Sequence, residues 1–517
     1  MRGYDVIVIG AGHNGLVAAT VLAQAGLSVH VLERADVVGG ACRTETPFPR
    51  APRLRASTGA YLLGLMPPEL LATLNLDLPL LRRDPHYFLP TLDGRYLLLG
   101  SNQESNAAQF EQFFTAQDAR AAQALGAELA ALAEDLAPAW LTEPLPVEET
   151  AERYIRPALR DTFVSLVRGS AMAYLSRFGF ASELVMAMYA VTDGMPGLTG
   201  SPWTPGSGHN LLVHNMCRLP GAGGTWMVVR GGMGTVTQRL AERATAAGAT
   251  IRTGVLVDRI VLDQGAASGV VTAQGEQLTA KVVLVATDPY RLPDLLGSDC
   301  PTALRDRIAE YARRSVGQTM KVNLALSDLP RFTALPTPMG QHSTTVHLLP
   351  PPAADGSVLT ALREAFDAAS QGRLEPLPPV EWYLHSTLDP SLSDDQGRHS
   401  SALFVQGVPA QPAGSSWEVE KAGYVDRLLS FVEQFTPGLS SLVVDVQALA
   451  PPDIERHFGI TGGNIFHVDN AFSFTDRLPY RLGIPGVYAG AAGCHPAGSV
   501  IGAAGHNAAQ VILTDLA

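Results

Sequence analysis

Residues 6–45 read VIVIGAGHNGLVAATVLAQAGLSVHVLERADVVGGACRTE. Val6 to Ile9 is a short run of branched apolar residues, the pattern of a buried strand. From about Asn14 to Ala25 the apolar residues recur at helical spacing, and Gly26 marks a helix end. Ser28 to Leu32 reads as a second strand with Glu33 at its end. The turn between the first strand and the helix spells GxGxxG, with Gly10, Gly12 and Gly15. Gly10 permits the tight turn. Gly12 has no Cβ, so a pyrophosphate can approach the backbone, and Gly15 lets helix and strand pack closely. The helix start, at His13 and Asn14, offers unpaired N–H groups and a partial positive charge to phosphates. Glu33, with Arg34 beside it, stands where ribose hydroxyls are bound. Strand, helix and acid together predict a dinucleotide-binding unit, which a lone glycine triplet would not.

The chain of 517 residues is long enough for two or three domains. It is 46% apolar, 17% charged and carries a formal net charge of −12, with no basic patch to bind nucleic acid. Cys42, Cys217, Cys300 and Cys494 lie far apart and form no CxxC, so neither a redox disulfide nor a metal site is expected. The four cysteines fit a reducing compartment and a cytoplasmic chain. No run of 18 apolar residues predicts a membrane-spanning helix, which leaves at most peripheral membrane contact.

Residues 105–195 read as largely helical, and 199–224, rich in Gly and Pro, as a loop or boundary. Strand-like runs at Thr319–Ser327, Glu381–Thr387 and Ala402–Val408 alternate with helices, chiefly Trp417–Phe435. The C-terminal GVYAGAAGCHPAGSVIGAAGHNAAQVIL reads as strand, glycine-rich loop, then a helix from about Val500. The second glycine cluster, GGMGTV at 231–236, lacks the third glycine and the following acid of the fingerprint. One dinucleotide, held by both ends of the chain, is therefore expected, with no separate nicotinamide domain.

GAGHNGLVAA, LERADVVGGACRTE, GGTWMVVRGGMGTV, GGNIFHVD and AGAAGCHPAGSVIGAAGHNAA together resemble the phytoene-dehydrogenase-related flavoproteins. This group includes carotenoid desaturases, ketolases and isomerases and the branch named pyridine nucleotide-disulfide oxidoreductase domain-containing protein 2. The resemblance runs from the first motif to the last. It implies an α/β fold: a Rossmann-like FAD-binding domain, of glutathione-reductase or amine-oxidase type, with a second mixed α+β substrate domain. It also implies FAD rather than NAD. Gly39, Gly40 and Arg43 match the Gly-Gly turn and basic residue near the pyrophosphate, although Ala41 stands where many relatives place the arginine. Gly59 and Ala60 in RASTGAYLLGL also belong to the expected site, and Val257 matches the adenine contact. The C-terminal loop, with Gly493 and Ser499, Val500, Ile501 and Gly502 at a helix start, is expected against the isoalloxazine. His495 reads as a loop anchor or, alternatively, a catalytic acid or base, and His467 and His506 as structural. The cysteines do not support the disulfide chemistry in the branch's name. Expected boundaries are 1–80, 222–300 and 455–517 for a discontinuous FAD domain, and 81–221 and 301–454 for the substrate domain.

The expected activity is hydride transfer between flavin and a small apolar, carotenoid- or lipid-like substrate. AYLLGLMPPELLATLNLDLPLL and FASELVMAMYAVTDGMPGL are candidate tunnel linings or plain core. A redox-neutral FAD-dependent isomerase and a flavin-containing binding protein share every motif quoted.

Overall fold

A computed structural model describes residues 3–195 and 197–517. β1 (Tyr4–Ile9), α1 (His13–Gln24) and β2 (Val29–Leu32) form the unit read from the sequence. β1 is central in its sheet, parallel to β2 on one side and to Gln277–Val285 on the other, with Val6 opposite both Val29 and Val282. A strand flanked on both sides in a parallel sheet is covered on both faces, which is why Val6–Ile9 is apolar throughout. α1 ends because Gly26, at φ +89°, turns the backbone left-handed. The same sheet takes Thr250–Arg252 beyond β2, the meander Val257–Asp263 and Ala266–Thr272, and Val487–Ala489 near the C-terminus.

A second sheet of seven strands draws from elsewhere in the chain. Its order is Val443–Leu449, Thr319–Leu326, His399–Gln406, Val380–Tyr383, Thr345–Leu348, Tyr87–Pro90 and Tyr96–Leu99. Met320, Val322 and Leu324 alternate into one core with Val380, Trp382, Leu403 and Val405. The opposite face carries Thr319, Lys321, Glu381, Tyr383 and Phe404, because successive side chains on a strand point to opposite sides.

Three local expectations need correction. The stretch 199–224 contains a helix, Ser207–His214, whose eight residues are all buried. Its Gly208 is a contact rather than a breaker: a Cβ there would lie 2.0 Å from the Leu166 carbonyl oxygen of a crossing helix. The strand expected over Glu381–Thr387 stops at Tyr383, followed by a 3-10 turn at His385–Thr387. The last helix begins at Ala503, not near Val500, with Gly502 at φ +82° before it.

Candidate flavin and substrate site

Each of the three glycines has a different neighbourhood. Gly10 sits at φ +105° and donates its N–H to the Leu32 carbonyl at 2.8 Å, which turns the chain out of β1. A Cβ on Gly15 would lie 2.1 Å from the Gly10 carbonyl oxygen and 3.1 Å from Ala286 Cβ, so this glycine serves the packing of α1 on the sheet. A Cβ on Gly12 would meet no protein atom within 4 Å. Gly12 opens onto a cavity of about 850 Å³. The first turn of α1 has no side-chain cap and no acidic residue, so its N–H groups are left for an anion.

Glu33 is buried; Oε2 accepts from Ala11 N at 2.8 Å and Oε1 from Ala35 N at 2.9 Å. Each oxygen keeps acceptor capacity toward the cavity that Glu33 lines. Gly39 donates to the Ala11 carbonyl at 2.9 Å and pairs with Gly12 in a short parallel bridge, which brings the second glycine turn beside the first. Arg43 lines the cavity, and its Nε is buried without a partner. Open space at Gly12, an uncapped helix start and an unpaired guanidinium nitrogen together fit a diphosphate.

Of the expected residues, Gly10, Gly12, His13, Asn14, Glu33, Arg34, Gly39, Gly40, Arg43, Gly59, Ala60, Val257, Ser499 and Val500 line this cavity. Gly15, Gly493, Ile501 and Gly502 stand behind its wall. A Cβ on Gly493 would meet Pro289 at 3.0 Å and one on Gly502 would meet Leu70 at 2.9 Å, and Ile501 packs into a helical core. The two ends of the chain meet here. Asn14 is buried and its Oδ1 accepts from Gly505 N at 3.4 Å, where a Cβ would lie 2.0 Å from the Asn14 carbonyl oxygen.

His495 does not line the cavity; its Nε2 is 3.1 Å from the Ala139 carbonyl oxygen, a contact that ties the C-terminal loop to its neighbour. His467, expected to be structural, does line it, with Nδ1 lacking a hydrogen-bond partner and 4.0 Å from Asp288 Oδ1. Motif reading found no special feature in a histidine of GGNIFHVD, because its place depends on the loop path around Asp288. The four cysteines are free and buried, and burial pushes the Cys42 thiol up to about 12.

The far end of the cavity was not foreseen. It is lined by Arg83, Asp193, Lys321, Glu381 and Tyr383 among Tyr61, Trp226, Phe404 and Phe466. Lys321 Nζ donates to the Ser57 carbonyl at 2.6 Å and to that of Gly59, and lies 4.6 Å from the Tyr61 ring centre. Burial without a counter-ion holds its pKa well below the ordinary lysine value. Burial also raises Asp193 to about 7 and Glu381 to about 8. Glu381 accepts from Tyr383 Oη and, at 2.9 Å, from Gln406 Nε2. The quoted apolar stripes are mainly core. Leu63, Met66, Leu70 and Leu74 pack under the nucleotide sheet, and Val185, Met188 and Val191 pack in a separate core.

A family profile described as flavin containing amine oxidoreductase matches residues 15–327. The chain belongs to the flavin-containing amine oxidoreductase family. The cofactor of this flavin-containing amine oxidoreductase is FAD. The chain is 35% identical to the pyridine nucleotide-disulfide oxidoreductase domain-containing protein 2 of Mus musculus, across 99% of this chain and 94% of that one. It is 31% identical to an uncharacterised protein of Mycobacterium tuberculosis, across 100% of this chain and 98% of the other. The family resemblance read from the motifs is therefore shown. The fold matches a solved oxidoreductase from Methanosarcina mazei with a TM-score of 0.61 at 15% identity, covering 99% of this chain and 100% of that one. At that identity the likeness shows the amine-oxidase-type fold alone. Among the described residues, no helix is long and apolar enough to cross a membrane.

Proposed function

We propose that the protein is an FAD-dependent dehydrogenase that takes a hydride and a proton from an apolar, lipid- or carotenoid-like substrate, leaving a double bond. One observation carries the reading. A continuous cavity runs from the glycine turn to a wall of Tyr61, Leu62, Trp226, Phe404 and Phe466. An aromatic wall suits a carbon-rich substrate body. Two relatives support it. Hydroxyneurosporene desaturase of Cereibacter sphaeroides is 26% identical and a limonene dehydrogenase component of Castellaniella defragrans 24% identical, each across 99% of this chain. A cavity of about 850 Å³ that also takes FAD encloses only one end of a long polyene.

Segments 1–80, 222–300 and 455–517 form the FAD domain in this reading, and 81–221 and 301–454 the substrate domain. Gly12, His13, Asn14, Gly39, Gly40 and Arg43 hold the pyrophosphate. Glu33, Arg34 and Val257 hold the adenosine. Gly59, Ala60, Ser499 and Val500 border the ring system. FAD, when bound by these residues, would supply the hydride acceptor, with oxygen or a quinone as the oxidant that restores it. Lys321, which burial pushes toward its neutral amine, can take the substrate proton, while Asp193 and Glu381, which burial pushes toward their protonated forms, can hold or return one.

The test is anaerobic. Holoenzyme is mixed with a panel of acyclic polyenes and long-chain lipids while the flavin band is followed, and products are weighed by mass spectrometry. The reading expects bleaching and a product lighter by two hydrogens. A product of unchanged mass would make the enzyme an isomerase. No bleaching by any member, with dithionite still reducing the flavin, would sink the reading.

A further inference from the structure

Arg83 lies at the far end of the cavity and is 2% exposed. Its Nε donates to the Trp226 carbonyl at 2.9 Å and its Nη1 to Thr345 Oγ1 at 2.8 Å. A guanidinium has five N–H donors, so three are left without a partner among the described residues. No carboxylate oxygen of the described residues lies within 4.0 Å of it. Glu381 is nearby and accepts from Tyr383 and Gln406, but it forms no ion pair with Arg83 among the described residues. A buried arginine with three open N–H groups is costly unless something anionic completes it.

We propose that Arg83 is the anion anchor of the substrate pocket, and that the substrate carries a carboxylate on its otherwise apolar body. The fork geometry of a guanidinium matches a planar carboxylate through two parallel N–H···O bonds. The charge balance agrees. Burial pushes Asp193 and Glu381 toward their neutral forms and Lys321 toward its neutral amine; it lowers Arg83 as well, but a guanidinium starts from so high a value that it keeps its charge. One firm positive charge suits a monoanion; a phosphate dianion would call for a second cation. A protonated amine would be repelled. The proposal rests on the dehydrogenase reading for the apolar body and adds the head group.

The test is equilibrium binding to the oxidised holoenzyme, using octanoate, octan-1-ol and octylamine as probes. Readouts are the perturbation of the flavin spectrum and titration calorimetry. Octanoate is expected to bind at least tenfold tighter than octan-1-ol, and octylamine more weakly than either. Arg83→Met should remove the preference for octanoate and leave affinity for octan-1-ol and flavin content unchanged. Arg83→Lys should restore part of the preference. Equal affinity of the unaltered enzyme for octanoate and octan-1-ol, or no binding of octanoate, overturns the proposal even if Arg83→Met fails to fold. So does an Arg83→Met enzyme that keeps the preference. Turnover plays no part in this comparison, so a failed search for an oxidisable substrate would refute the dehydrogenase reading and leave the anchor standing.

Discussion

Gly12 and Gly15 lie three residues apart in one motif, yet substituting them should damage different things. Gly12 has φ −72° and ψ 173°, which any residue adopts, and its Cβ would meet open space. Gly12→Val therefore costs the fold only a poorer helix cap, about 1 kcal/mol. Its methyls instead stand where a diphosphate must approach the helix start. Losing two charge-assisted hydrogen bonds there, at roughly 1.5–3 kcal/mol each, weakens FAD binding by about 10²- to 10⁴-fold. Gly15→Ala is the reverse. Its Cβ would lie 2.1 Å from the Gly10 carbonyl oxygen, so helix and turn must separate by about 1 Å or more. Such overpacking costs roughly 1–3 kcal/mol. The assay compares flavin-to-protein ratios after purification and thermal unfolding of the apoproteins. Apoproteins are needed because bound FAD itself raises the midpoint. Gly12→Val should be pale with an apoprotein midpoint close to the parent's; Gly15→Ala should melt several degrees lower. A yellow Gly12→Val protein with full flavin, or a Gly15→Ala apoprotein as stable as the parent, would refute the division of roles.

The two-ended site predicts that Gly505→Val loses flavin although the glycine turn is untouched, because its Cβ would lie 2.0 Å from the Asn14 carbonyl oxygen; flavin stoichiometry decides it. Burial raises the folded pKa of Asp193 from 3.8 to about 7. Between those values the folded protein holds a proton that the unfolded chain has lost, so stability falls as pH rises, by up to about 1.4 kcal/mol per pH unit. Asp193→Asn should flatten the pH 4–7 slope of denaturant-derived stability, and parallel profiles for variant and parent would contradict this. NADPH should reduce the flavin slowly or not at all. The GGMG turn is packed against protein, with a Cβ on Gly232 lying 2.4 Å from Thr44 Oγ1. Fast, saturable bleaching near about 450 nm, the cofactor's own band, would reveal a nicotinamide site.

Much of the nucleotide half was legible because its information is local. A strand, a turn needing glycine and a helix occupy 21 consecutive residues, Tyr4–Gln24; Gly10 and Gly15 answer to atoms a few residues or one strand away, and Gly12 opens onto the cavity. The resemblance carried the fold class, and the family match bears it out. Motif reading went furthest astray at glycines whose partners are distant in sequence. Gly208 looked like loop, yet it is a helix crossing decided by Leu166. The substrate end was invisible for a related reason. Lys321 in TMKVNLAL and Glu381 in VEWY are single charges inside apolar runs, and each alone reads as an exposed strand position. Their significance arises from strand pairing. Both lie opposite Phe404 in adjacent pairs of one sheet, on the face away from the core. Arg83 arrives from a loop more than two hundred residues earlier in the chain. The sequence by itself determined the turn that receives a dinucleotide, because local backbone geometry makes it. Only the tertiary structure decided which buried charges share the other end of the cavity, because burial and separation across a sheet set their ionisation, and neither exists before the chain has folded.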